Sequence, residues 1–262
     1  MKILVKLGGT LLDAPESRSA IAEQIARAAR QGIQTVVVHG GGKQMTRYLA
    51  ERGVESRFVN GLRVTTPETV DALLKVFAGS VNHELVASLN AAGAMAVGLS
   101  GIDAFLVEAT QMDPELGAVG RVTGVNPELL DLLTGSGYMP VVACVAGGRA
   151  GEVYNVNADQ MASACAAAFG AEKVFFLTDV PGVLDAQKQV QPVLTADGSD
   201  RLIADGIATG GMQAKLGAAV AALRGGVEEV WIAPGATDGV MDRMLSGEPI
   251  GTRMVLVAGG TA

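Results

Sequence analysis

The sequence predicts an α/β protein built on an open, mainly parallel sheet, and three observations carry that reading. Short runs rich in β-branched residues alternate with segments of helical period, the pattern of parallel strands joined by crossover helices. Glycine-rich turns, KLGG at Lys6 to Gly9 and HGGG at His39 to Gly42, directly follow the first two of these runs, where open α/β sheets bind their ligands. A chain of 262 residues with 49% hydrophobic side chains also has enough apolar surface to bury a substantial core.

The elements follow in order. A first strand at Ile3 to Leu7 leads to a helix near Pro15 to Gln31, and a second strand at Thr35 to Val38 leads to a helix near Gln44 to Arg52. Thr66 is placed to cap a longer helix with Pro67 at its first position. Along that helix Val70, Leu73, Leu74, Phe77, Val81, Leu85, Val86 and Leu89 recur at helical spacing, which fits either a core helix or a dimer interface. Next come a buried strand at Met95 to Leu99, a hairpin through Phe105 to Val125, a helix capped by Asn126 ahead of Pro127, and a strand at Met139 to Val145. A helix from about Ala158 to Gly170 feeds the apolar strand Val174 to Thr178. Helix Gly211 to Arg224, strand Glu229 to Ala233 and a terminal strand near Met254 to Val257 complete the chain. With no internal repeat or linker, residues 1–262 are expected to form one domain whose lobes, about 1–172 and 173–262, share a sheet.

Composition narrows the function. A net charge of −7 and a pI of about 4.9, without a Lys/Arg cluster or interleaved aromatics, argue against nucleic acid as a partner. The same field repels anions, so any phosphate or carboxylate site must be made positive locally. The apolar run in MKILVKLGG is too short for a signal or membrane segment, which points to a cytoplasmic protein without membrane contact. Cys144 and Cys165 lack CxxC spacing and read as core residues, with no metal site expected.

Four motifs carry the candidate chemistry. Lys6, with Gly8 and Gly9 behind it, stands at a strand's carboxyl end, where a cation and close backbone amides can receive a phosphate; the alternative is a surface lysine before an ordinary turn. In HGGG, amides near a helix start can bind an anion, while His39 reads either as a general base or, more ordinarily, as structural. Asn155, Asn157 and Asp159 alternate with Val156 and Ala158, so an extended segment would project all three from one face; helix capping accounts for one of them. Thr209-Gly210-Gly211 precedes a helix with Lys215 in about its first turn, unfavourable against the macrodipole unless an anion docks there. Two further segments fit ligand contact: the turn Thr178-Asp179-Val180-Pro181-Gly182-Val183 after a buried strand, and Arg63 in NGLRVT, whose planar fork suits a carboxylate.

Taken in order, KLGG, VVHGGG, NGLRVT, GYMPVV, NVNAD, LTDVPGV and GGM-x-x-K resemble the amino acid kinase family from Lys2 to Thr252. NGLRVT together with Phe77 to Asn82 points to its acetylglutamate branch, in arginine biosynthesis. The resemblance implies a three-layer αβα sandwich of the carbamate kinase type that phosphorylates the side-chain carboxylate of N-acetyl-L-glutamate with ATP. It implies Lys6 and Lys215 as stabilisers of the transferred group and Asp159 as the residue that holds them. It implies Gly40, Gly41, Arg63 and Asn155 as substrate contacts. Gly8, Gly9, Asp179, Val180, Pro181, Gly182, Val183 and Leu184, with Ile207, Ala208, Thr209 and Gly211, are implied on the nucleotide, whose phosphates carry Mg2+. The 1–172 lobe would then bind substrate and dimerise, and the 173–262 lobe would bind nucleotide.

The pattern departs from many relatives at Lys43, where proline is common, and at Leu11-Leu12. The chain opens at its first strand, so the resemblance implies a homodimer through the helix Pro67 to Ala92, without arginine feedback. Rival readings are a kinase for carrier-linked aminoadipate and a non-catalytic nucleotide or amino-acid sensor on the same fold. A dehydrogenase would need G-x-G-x-x-G, which is missing.

Overall fold

The computed structural model describes residues 1–59 and 61–257; Asn60, which opens NGLRVT, lies outside them. Its elements are β1 (Lys2–Leu7), α1 (Pro15–Arg30), β2 (Gln34–His39), α2 (Gly42–Ala50), the hairpin strands β3 (Phe58–Val59) and β4 (Leu62–Arg63), and α3 (Pro67–Leu73). The segment Leu74–Val81 continues α3 as a π-helix and passes into α4 (Asn82–Ala91). There follow β5 (Ala96–Ser100), β6 (Val107–Gln111), β7 (Gly120–Val125), α5 (Pro127–Gly135), β8 (Met139–Ala143), β9 (Val145–Gly147), β10 (Val153–Asn155) and α6 (Ala158–Phe169). The remainder is β11 (Lys173–Thr178), β12 (Val193–Thr195), α7 (Ala196–Ala204), α8 (Gly210–Arg224), β13 (Glu229–Pro234), α9 (Val240–Ser246) and β14 (Thr252–Val255).

Eight strands form the central sheet in the order β12-β14-β13-β11-β1-β2-β8-β5. Every neighbouring pair is parallel except β13 with β14. Helices α1, α4 and α9 cover one face and α5, α6 and α8 the other, giving the three-layer sandwich. Strands β1, β2, β8 and β11 are buried on both faces, which is why they read as continuous apolar runs. Local signals set the ends of the elements. Thr66 Oγ1 accepts from Thr69 N at 3.3 Å, Asn126 Oδ1 accepts from Glu128 N at 3.2 Å, and Gly170 ends α6 at φ 68°.

Three expectations need correction. The strand from Met139 breaks after Ala143 and resumes as β9, in the four-stranded sheet β10-β9-β6-β7. The long helix carries a π-helical stretch at its centre, so its stripe shifts: Leu73, Phe77, Val81, Leu85 and Leu89 are buried while Leu74 is exposed. Helix α8 begins at Gly210, which places Lys215 in its second turn rather than its first and weakens the macrodipole argument there.

Strands β1 and β11 are neighbours whose chains leave in opposite directions along the sheet, β1 through α1 to β2 on one side and β11 to β12 at the far edge on the other. Such a switch point opens a crevice at the strands' carboxyl ends.

Candidate active site

The crevice is organised by strand register. Lys6 pairs with Val38 on one side and Phe176 on the other, so these side chains leave the same face of the sheet, toward α6 and α8. Asp159, in the first turn of α6, and Lys215 of α8 meet Lys6 there. Lys6 Nζ lies 2.7 Å from Asp159 Oδ1, and Lys215 Nζ lies 3.1 and 3.0 Å from Oδ1 and Oδ2. Their side chains, Lys6, Asp159 and Lys215, are 9%, 9% and 10% exposed. Lys215 reaches this point from the second turn because helical side chains lean toward the N-terminus. It also lies 5.5 Å from the Phe176 ring centre.

One carboxylate between two ammonium groups leaves the cluster with net positive charge, the local cation that an acidic chain needs in order to receive an anion. Burial pushes the Asp159 carboxyl up, but Lys6 and Lys215 outweigh it and hold it below its ordinary value. Burial, and then the Lys6 ammonium, push Lys215 below its ordinary value against the pull of Asp159.

A cleft of about 630 Å³ reaches the cluster at Lys6 and is lined among others by Gly8, Thr10, Gly42, Lys43, Arg47, Arg63, Thr178 and Asp179. Gly8 N–H donates to Leu177 O at 3.0 Å, closing the end of β1 onto β11. Arg63 is buried, and burial lowers its pKa. Its Nη1 donates to Ser56 Oγ, its Nη2 to Gly42 O at 3.0 Å and to Thr46 Oγ1 at 2.7 Å, and its guanidinium sits 4.6 Å from the Phe58 ring centre. These contacts use three of the five N–H groups that an arginine carries.

The NVNAD residues do not share one extended face. Asn155 ends β10, and its Nδ2 donates to Thr65 Oγ1 at 3.1 Å, outside the lining of the cleft. Asn157 caps α6, its Oδ1 accepting from Asp159 N at 2.9 Å and Gln160 N at 3.1 Å. Asp159 is therefore presented by a capped helix start rather than by a strand.

Of the residues expected on the nucleotide, Gly8 and Asp179 line the cleft. Val183 is buried, and its N–H donates to Thr252 Oγ1 at 2.8 Å, while Leu184 and Ile207 are exposed and Ala208 is buried. Val180, Pro181, Gly182, Thr209 and Gly211 do not line the cleft. Gly9 opens a short 3-10 turn, Gly9–Leu12, after β1.

His39 leaves the opposite face from Lys6, since it pairs with Leu7. It is fully buried, and burial lowers its pKa to about 4, so it is neutral and reads as structural rather than as a base. Cys144 and Cys165 are buried too, and burial pushes both thiols up to about 12. Sequence reasoning missed Lys43, Arg47 and Thr46 as cleft residues. Their signal was position alone, on the α2 face that follows HGGG.

A sequence model of the amino acid kinase family matches residues 1–234. The chain is 70% identical over 255 residues to an acetylglutamate kinase of Solibacter usitatus, covering 97% of this chain and 99% of that one. It is 44% identical to an acetylglutamate kinase of Acidobacterium capsulatum, over 94% and 95% of the two chains. Among solved structures, an N-acetylglutamate synthase of Neisseria gonorrhoeae complexed with coenzyme A and N-acetyl-glutamate matches with TM-score 0.88 and 25% identity, over 98% of this chain. This chain spans 60% of that synthase. A Giardia carbamate kinase matches with TM-score 0.74 at 14% identity over 98% and 99% of the two chains, a likeness of fold.

Proposed function

The chain belongs to the amino acid kinase family, and from that premise we propose that it transfers the γ-phosphoryl group of ATP to the γ-carboxylate of N-acetyl-L-glutamate in arginine biosynthesis. The observation that carries the reading is the buried Lys6–Asp159–Lys215 cluster, whose Lys6 lines the cleft. A carboxylate with an ordinary pKa of about 4.3 is already ionised at neutral pH, so attack on phosphorus needs no base. A carboxylate oxygen bonds to the γ-phosphorus as the bond to the β,γ-bridging oxygen breaks, giving an acyl phosphate and ADP.

The obstacle is charge: an anion must approach a polyanion. Lys6 and Lys215 counter it together, both held by Asp159, which fixes the two ammonium groups before the substrates arrive. Gly40 and Gly41 present backbone amides, and Arg63 and Asn155 receive the acetylglutamate, with the remaining Arg63 N–H groups free to bind its α-carboxylate. Gly8, Gly9, the turn Asp179 to Leu184, and Ile207, Ala208, Thr209 and Gly211 border the nucleotide. Among the described residues no three His, Cys, Asp or Glu side chains gather as metal ligands. Magnesium enters with ATP, carried mainly by the nucleotide phosphates.

The substrate lobe is residues 1–172 and the nucleotide lobe 173–262. The protein works in the cytoplasm as a homodimer through the outer face of the helix Pro67 to Ala92, where Leu74 is exposed. No described helix is long and apolar enough to cross a membrane.

The test is ATP-dependent acyl-phosphate formation trapped with hydroxylamine, comparing N-acetylglutamate with glutamate, aspartate and N-acetylaminoadipate. Strong preference for N-acetylglutamate is expected. Absence of product with all four substrates refutes the assignment.

A further inference from the structure

The mechanism leaves unexplained a buried polar chain on the face of the sheet away from Lys6. Asn82, the first residue of α4, is 2% exposed. Its Nδ2 lies 2.9 Å from His39 Nε2 and donates to Val141 O at 2.9 Å. His39 Nδ1 lies 2.7 Å from Gly40 O. A carbonyl can only accept, so Nδ1 carries the proton of the neutral ring and Nε2 accepts from Asn82. The direction of every bond in the chain follows: Asn82 sets the tautomer, and the tautomer holds the Gly40 carbonyl.

The next link is the peptide itself. The Gly40–Gly41 bond is trans, as there are no cis peptides among the described residues, so Gly41 N–H points opposite to the Gly40 carbonyl. His39 lies on the far face from Lys6, and the amide is therefore turned toward the face from which Lys6 rises. Gly41 is buried, yet its N–H has no backbone or side-chain partner among the described residues. Buried amides without partners are rare, and an anionic ligand would satisfy this one. The turn is also held from beneath: a Cβ on Gly41 would lie 2.8 Å from Cδ1 of Phe77, in the π-helical segment. Phe77 packs close to Gly41, and Asn82 reaches the Gly40 carbonyl through His39.

We propose that His39 and Asn82 are positioning residues for phosphoryl transfer, acting through the Gly40 carbonyl to hold the Gly41 N–H toward the transferred group. The proposal rests on the kinase reading above. His39 neither donates nor takes a proton in the reaction.

The test compares H39N, H39Q and H39L in the hydroxylamine assay, with K215A and wild type alongside. An asparagine amide nitrogen occupies the place of Nδ1 and can still donate to Gly40 O; glutamine reaches the Nε2 position and leucine donates nothing. H39Q and H39L should lose about 10- to 100-fold in kcat with KM for N-acetylglutamate changed less than about 3-fold, while H39N keeps kcat within about 5-fold of wild type. The shape of the pH profile should not change in H39N. H39N falling as far as H39Q, H39Q matching wild type, or loss of a pH limb in H39N overturns the proposal. An inactive wild type defeats the kinase reading instead, and inactive K215A beside unaffected H39Q defeats only the positioning role.

A measurement on the unmodified protein guards against misfolded variants. The 15N spectrum of the histidine-labelled chain, which has two histidines, should show His39 protonated at Nδ1 alone from about pH 6 to 9. An Nε2-protonated ring there overturns the proposal.

Discussion

Replacing Asp159 by asparagine removes the charge at the centre of the cluster while preserving its shape. Both lysine nitrogens contact Oδ1, at 2.7 and 3.1 Å, and are screened from each other by that oxygen's charge. In D159N the two ammonium groups, no more than about 6 Å apart, repel by about 3 kcal/mol at an effective dielectric of about 20, with nothing to offset it. Lys215 already sits below its ordinary pKa through burial and then Lys6, and it loses the one neighbour that raises it. The sign of the pH effect follows: the ammonium form exists below the pKa, so a further drop in that pKa leaves activity at low pH and removes it as pH rises. The expected outcome is a kcat about 100-fold or more below wild type at neutral pH, recovering in part toward about pH 6. The assay is hydroxylamine-trapped turnover across about pH 6 to 9, with circular dichroism melts to establish that the variant is folded. A folded D159N with kcat within about 3-fold of wild type and an unaltered pH profile would refute the argument that Asp159 holds the two cations.

Three further outcomes are expected. Lys6→Ala and Lys215→Ala should each lower turnover by about 100-fold or more, and near-normal kcat in either removes that lysine from the transition state. Arg63→Lys should chiefly raise KM for N-acetylglutamate, because a point charge cannot keep the bonds to Thr46 Oγ1 and Gly42 O and also receive a carboxylate; an unchanged KM takes Arg63 out of the binding site. Gly41→Ala should cost about 1–3 kcal/mol of stability in urea titration, since its Cβ collides with the buried Phe77 ring, and G41A with F77A should recover part of that loss. A fully stable single variant would show that the ring can move aside.

Several site residues were legible because their signals are local. Lys6 and the glycines at the ends of β1 and β2 stand where continuous apolar runs stop, and Thr66, Asn126 and Gly170 announce helix ends by their own side-chain chemistry or lack of it. The seven ordered motifs raised these points to a family, and the function followed from that family. Asn157 illustrates the limit: its alternation with Asn155 and Asp159 imitates a strand, and the helix hydrogen bonds it caps outweigh that pattern.

What the sequence by itself determined is the alternation of strands and helices, the caps, the placement of glycine turns at strand ends, and the residue types at the site. These depend on backbone sterics and periodicity within a few residues. Only the tertiary structure decided that Lys6, Asp159 and Lys215 share one point, that Asn82 and His39 fix the Gly40 carbonyl, that Phe77 lies under Gly41, and that the helix between α3 and α4 is π-helical. Those relations join positions far apart in the chain. They are selected by how the two helix layers pack on the sheet, a balance of burial against hydrogen-bond satisfaction that no local window contains.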